Sequence, residues 1–179
     1  MKKIKFTITC FLILIGADLF GQSTITQNLD GLTSIEFPEK PVVSDLPNGL
    51  GIFYKCMKNP NYYLAFLFKV NSNTIVTNDS TLNNLYEGII SGAANPEKAK
   101  TLIYKKNITV KNFRGIEFEY KDATNPDKIR FIYQRALYIN NTVFVYSFST
   151  PDETNSEYKT EKDLFLNSFS ILDKTAKQF

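Results

Sequence analysis

The sequence contains no histidine. That absence removes the imidazole-dependent chemistries: Ser-His-Asp and Cys-His nucleophilic catalysis, and the usual zinc sites. Proton transfer would fall to carboxylates, lysines or tyrosines, none of which titrates near neutrality without a displaced pKa. Cysteine is nearly as scarce, with two in 179 residues. Cys10 lies in the N-terminal apolar run, which leaves Cys56 alone in the rest of the chain. An intrachain disulfide is therefore excluded there, and stability must come from packing.

Long apolar runs are missing too. The run from Phe6 to Ala17 is well short of the ~20 residues a spanning helix needs, and Asp18 closes it. It follows the basic head Lys2, Lys3 and Lys5, and it ends in Leu19, Phe20, Gly21 and Gln22. A charged head, a short apolar stretch and a small residue before a polar one make a secretory signal peptide over residues 1–21. The favoured cut falls between Gly21 and Gln22, although Leu19 is large for the third position before it. An uncleaved N-terminal anchor, or a lipid anchor on Cys10, is the rival reading. Export implies a periplasmic or extracellular product with no integral membrane span once matured.

Cleavage removes three lysines and one aspartate, so the formal charge falls from +3 to +1. A nearly neutral domain has no general attraction for nucleic acid or anionic lipid. The remaining 155–160 or so residues suit one domain with a real core.

Periodicity then gives the layout. Residues 22–32 are polar and expected to be flexible. Strands are expected at Thr33–Phe37, Gly51–Met57, Tyr62–Val70, Leu102–Val110, Gly115–Lys121, Lys128–Ile139 and Thr142–Ser149. Tyr62–Val70 is apolar on both faces, which predicts a central strand covered on both sides. Asn140-Asn141 reads as a tight hairpin turn. Leu82, Leu85, Tyr86, Ile89, Ile90 and Ala93 form one helical stripe across residues 80–94, with Asp79 or Ser80 as cap. A second helix is expected after Pro151, with a frayed tail at 173–179. Hairpin-linked strands plus two helices predict an α+β domain over residues 33–172, built on a largely antiparallel sheet of about six to seven strands.

Candidate chemistry is thin. Lys98, Lys100, Lys105, Lys106, Lys111 and Arg114 make residues 98–114 locally basic. They form either a docking face for an acidic partner or lysines guarding an edge strand. Glu117 and Glu119 share one strand face, ~6.6–6.8 Å apart along the rise, a spacing close to that of glycosidase carboxylate pairs. A wet strand face gives the same pattern. Ser156-Glu-Tyr-Lys159 matches Ser-x-x-Lys but lacks its companion motifs. No catalytic residue, cofactor or metal site is assigned, and nucleic-acid binding is not expected.

Ser34-Ile-Glu-Phe-Pro38 with Glu39-Lys-Pro41, the 80–94 helix after the third strand, Gly115-Ile-Glu-Phe118, Arg135-Ala-Leu-Tyr138 and Phe165-Leu-Asn-Ser-Phe169 together resemble the PsbP-like proteins. The resemblance implies an antiparallel sheet between helical layers (an α/β/α sandwich). It also implies binding or assembly work in an exported bacterial protein, with an unknown envelope protein or ligand as partner. Metal sites of the photosynthetic members use histidine, so none is carried over. The readings are an exported non-catalytic binding or accessory domain, a subunit docking through the basic 98–114 face, and a small carboxylate-based hydrolase.

Overall fold

A computed structural model describes residues 23–70, 76–172 and 175–178; the signal peptide expected at 1–21 lies outside the described residues. Seven strands form one antiparallel sheet: β3 (Val42–Asp45), β4 (Gly51–Lys58), β5 (Asn61–Lys69), β6 (Lys100–Val110), β7 (Phe113–Asp122), β8 (Arg130–Ile139) and β9 (Thr142–Thr150). Their order is β3-β4-β5-β9-β8-β7-β6. A small sheet of β1 (Ile25–Asn28), β2 (Thr33–Phe37) and β10 (Ser170–Ile171) lies apart from it. The helices are α1 (Asp79–Ala93) and α2 (Ser156–Asn167).

The α+β architecture is the one expected, with three differences. Thr33–Phe37 leaves the main sheet, and β3 takes the seventh place at the edge. All four β3 residues are exposed, so no buried alternation marked it. The segment expected to be flexible carries β1, paired antiparallel with β2 from Ile25↔Phe37 to Asn28↔Ser34. The tail is held rather than frayed at its described residues. The Asn140 amide donates to the Lys177 carbonyl at 2.8 Å, and the Gln178 side chain donates to the Arg114 carbonyl at 2.6 Å. At the β8–β9 turn, Asn140 and Asn141 both have positive φ, 48° and 60°, the pairing a two-residue hairpin requires.

Each face of the main sheet has its own core. On one face, β2, β10 and α2 pack over β4, β5, β8 and β9, with Ile35, Phe37, Tyr63, Phe144, Phe148 and Phe165 at the centre. Phe165 meets Tyr63 edge-on at 5.2 Å between centroids. Cys56 is free and buried in this layer, where burial pushes its thiol pKa up. On the opposite face Leu82, Tyr86 and Ile90 of α1 cover Ile116, Phe118, Ala136, Tyr138, Val143 and Val145. The cap of α1 is Asn78, one residue before those expected; it accepts from the Thr81 amide at 3.0 Å while Thr81 Oγ1 accepts from the Asn78 amide at 3.2 Å. The Tyr86 hydroxyl donates to the Arg114 carbonyl at 2.7 Å and accepts from the Tyr138 amide at 3.1 Å, fixing α1 over β7 and β8.

Polar clamps fix α2. Glu161 accepts from Lys58 Nζ at 3.0 Å, Asn61 Nδ2 at 2.8 Å and the Tyr63 hydroxyl at 2.8 Å. Arg135 donates to the Leu166 carbonyl at 2.7 Å and to Asn167 Oδ1 at 3.0 Å. Burial pushes Glu161 up, but the bonds from Lys58, Tyr63 and Asn61 outweigh it and hold the carboxyl below its ordinary 4.5. A depressed folded-state pKa stabilises above the unfolded value and loses that contribution as pH falls through the folded one. Glu161→Gln should therefore cost about 1.5–3 kcal/mol at pH 7. It should also make the loss of stability below roughly pH 4.5 shallower than in the wild type. Denaturant titrations across pH check both.

Candidate ligand groove

The α1 face is only half covered. Seven strands spaced ~4.8 Å apart span roughly 29 Å across the sheet, whereas one helix with its side chains is ~10–12 Å wide. α1 takes the β7–β8 side, and the floor beyond it stays open as a groove of about 590 Å³, within the ~300–1,000 Å³ of ordinary ligand pockets.

Strand register builds the floor in rows. Phe53, Phe66 and Val145 stand side by side across β4, β5 and β9; the next row is Lys55, Leu64, Ser147 and Gln134; then come Tyr62, Ser149, Ile132 and Tyr120. Ile89 and Ala93 of α1 form one wall. The apolar surface is largely aromatic, with Phe66 and Phe68 stacked at 6.2 Å. Here the expectation for Tyr62–Val70 is corrected. Asn61, Tyr63, Ala65 and Leu67 are buried, but Tyr62, Leu64, Phe66 and Phe68 are half-exposed because they line the groove.

Gln134 and Ser147 are paired across β8 and β9. They are 5% and 3% exposed and line the groove. Neither side chain has a hydrogen-bond partner among the described residues. Both line the groove, so this pair presents free donors and acceptors in an apolar floor.

One end of the groove is cationic. Arg130 Nε donates to Ser149 Oγ at 2.7 Å, and its NH2 donates to the Ser149 carbonyl at 2.7 Å and the Pro60 carbonyl at 2.9 Å. Its guanidinium lies 4.2 Å from the Tyr62 ring centroid, and Lys55 Nζ lies 5.5 Å from the same ring. Neither cation is in an ion pair among the described residues. Burial lowers the Arg130 pKa from its usual value, though a guanidinium stays charged. Asp122, at the rim, is matched by Lys100 at 3.3 Å.

The basic residues singled out in the sequence fall elsewhere, and most are neutralised internally. Lys105 pairs with Glu87 at 2.6 Å, Lys106 with Glu117 at 2.7 Å, and Arg114 with Asp79. Lys111 donates to the Ile171 carbonyl. Lys98 ends the short turn before β6 and has no ion pair among the described residues. β6 is the edge of the sheet, where lysines discourage pairing with another strand. Of this set only Lys100 approaches the groove.

Glu117 and Glu119 were expected on a wet strand face. They are 5% and 6% exposed, beneath α2 and on the side opposite the groove. Burial pushes Glu117 up, but bonds from Lys106 and Arg135, at 2.6 Å from Arg135 Nε, overcome it and hold the carboxyl below its usual range. Burial raises Glu119, partly offset by a bond from Tyr133. The pair is absorbed into the packing of α2. Among the described residues no group of three His, Cys, Asp or Glu side chains could hold a metal ion, and no helix is long and apolar enough to cross a membrane.

No protein-family model matches the sequence, and neither does any curated protein. Solved structures do match. A cyanobacterial PsbP from Synechocystis superposes with a TM-score of 0.60 at 10% identity, covering 84% of this chain and 94% of that one. The fold is PsbP-like. LpqN, involved in cell envelope biogenesis of Mycobacterium tuberculosis, has a TM-score of 0.52 at 13% identity, with 85% and 87% covered. A Pseudomonas aeruginosa protein of unknown function has a TM-score of 0.50 at 9% identity, with 85% and 99% covered. At these identities the likeness is one of fold. It agrees with the resemblance read from the strand and helix motifs.

The unpartnered pair within this PsbP-like sheet yields a stability prediction. Replacing Gln134 by Met together with Ser147 by Ala removes two groove-lining polar side chains that bond nothing among the described residues, at nearly constant volume. The double variant should unfold at the same or higher urea concentration than wild type. A loss of more than about 2 kcal/mol would mean that the pair holds the sheet together.

Proposed function

We propose that this chain is an exported, non-catalytic binding module of the bacterial cell envelope, and that its ligand site is the groove between α1 and the β4–β5 side of the sheet. One observation carries the reading: an apolar, aromatic-lined groove of about 590 Å³ whose floor holds two polar side chains, Gln134 and Ser147, without hydrogen-bond partners among the described residues. An apolar cavity with a few convergent polar groups is the usual form of a small-molecule site.

Export rests on the N-terminal charge and hydropathy pattern. The envelope assignment draws on the PsbP-like fold shared with LpqN, whose description places it in cell envelope biogenesis. The non-catalytic reading draws on the missing histidine and on Glu117, whose carboxylate is occupied by Arg135, Lys106 and Tyr104.

The test is titration of the mature protein with a neutral apolar fluorophore such as N-phenyl-1-naphthylamine. One molecule per chain should bind with enhanced emission. Leu64→Glu puts a charge on a half-exposed floor residue and should weaken binding by about tenfold or more without unfolding the protein. Absence of binding, or binding unaffected by Leu64→Glu, would contradict the reading.

A further inference from the structure

We infer that the groove selects a single-chain amphiphile with a carboxylate head, seated with the head between Arg130 and Lys55 and the tail along Leu64, Phe66 and Ile89. The inference rests on the groove being the ligand site and goes on to name what that site reads.

Charge complementarity carries it. Half-buried cations are ordinarily paired, and five in this fold, Lys58, Lys100, Arg114, Arg135 and Lys162, meet carboxylates. Arg130, also half-buried, meets none among the described residues, and neither does the exposed Lys55; both line the groove. Both lie near the ring of Tyr62, at 4.2 and 5.5 Å from its centroid, which puts the two charges at the same end of the groove. The one groove carboxylate, Asp122, is already engaged by Lys100.

The donors that remain define the head. Arg130 spends Nε on Ser149 Oγ and NH2 on the Ser149 and Pro60 carbonyls, leaving its NH1 edge. The Lys55 ammonium supplies the other donor. Two donor groups suit the two oxygens of a carboxylate. The floor leads away from them through Leu64 to Phe66 and the α1 wall at Ile89 and Ala93, which suits an unbranched apolar chain. Gln134 and Ser147 lie midway and can bond a polar substituent there.

Calorimetric titration of the mature protein with decanoate and with 1-decanol separates the possibilities. Tail burial is nearly the same for both, so the difference reports the head. Decanoate should bind about tenfold tighter, the size expected of a charge-assisted bond partly exposed to water. Arg130→Gln should reduce that gap to about twofold or less. Because Arg130 also ties β8 to β9, Lys55→Gln, on an exposed side chain, is run beside it and should narrow the ratio of the two affinities several-fold. Equal affinity for acid and alcohol would overturn the carboxylate assignment and leave the groove as a ligand site. Failure of both ligands to bind would overturn the assignment and the binding function together. A dimer that excludes decanoate would give the groove to a second copy and also overturn it.

Discussion

A broad sheet must be covered on both faces, and the two helices among the described residues do not do it evenly. Seven strands present two faces of equal width. One receives α2, the three-stranded sheet and the docked tail; among the described residues the other receives α1 alone. A fifteen-residue helix covers a strip about two strands wide. The strip left open becomes the groove. The site is thus a consequence of how covering elements are shared between faces.

The covered face is what allows the other to stay open. An exposed aromatic floor is stable only if its backbone is held from behind. Here that support comes from a dense aromatic layer around Phe165 and from charged clamps at the middle and the C-terminal end of α2, Glu161 on β4–β5 and Arg135 on β8. Ionic groups in such places must be saturated with partners to be tolerated, and both are. Their bonds cross strands β4, β5, β7 and β8, all of which also line the groove. The two faces are linked because alternate residues of each strand point to opposite sides.

Much of this layout is legible in the sequence. Six strands of the main sheet and both helices announce themselves by period, and the resemblance to PsbP-like proteins agrees with the superposed structures. What is lost is instructive. β1, β3 and β10 span four, four and two residues, too short to display an alternation. The basic stretch at 98–114 looks like a binding face because sequence cannot show that Glu87, Glu117, Asp79 and Asp122 fold back onto it. Glu117 and Glu119 look solvated because the helix that buries them arrives some forty residues later in the chain.

The groove itself left two signals. β5 is apolar on both faces, which reads as complete burial, yet only two helices were expected for two faces of a wide sheet. On β9 the α1-facing row changes from Val143 and Val145 to Ser147 and Ser149, a polar step within an otherwise apolar strand. Both accompany an apolar face that the described elements leave partly uncovered. Neither is distinctive unless the position of α1 is known.

The most direct measurement is amide chemical-shift mapping of the isotope-labelled mature protein titrated with a saturating apolar ligand. The account predicts shifts concentrated on β5, on β9 around Ser147, on β8 around Gln134, and on α1 from Ile89 to Ala93. Shifts clustered instead on β6 and residues 98–114, or no shifts at all, would contradict it.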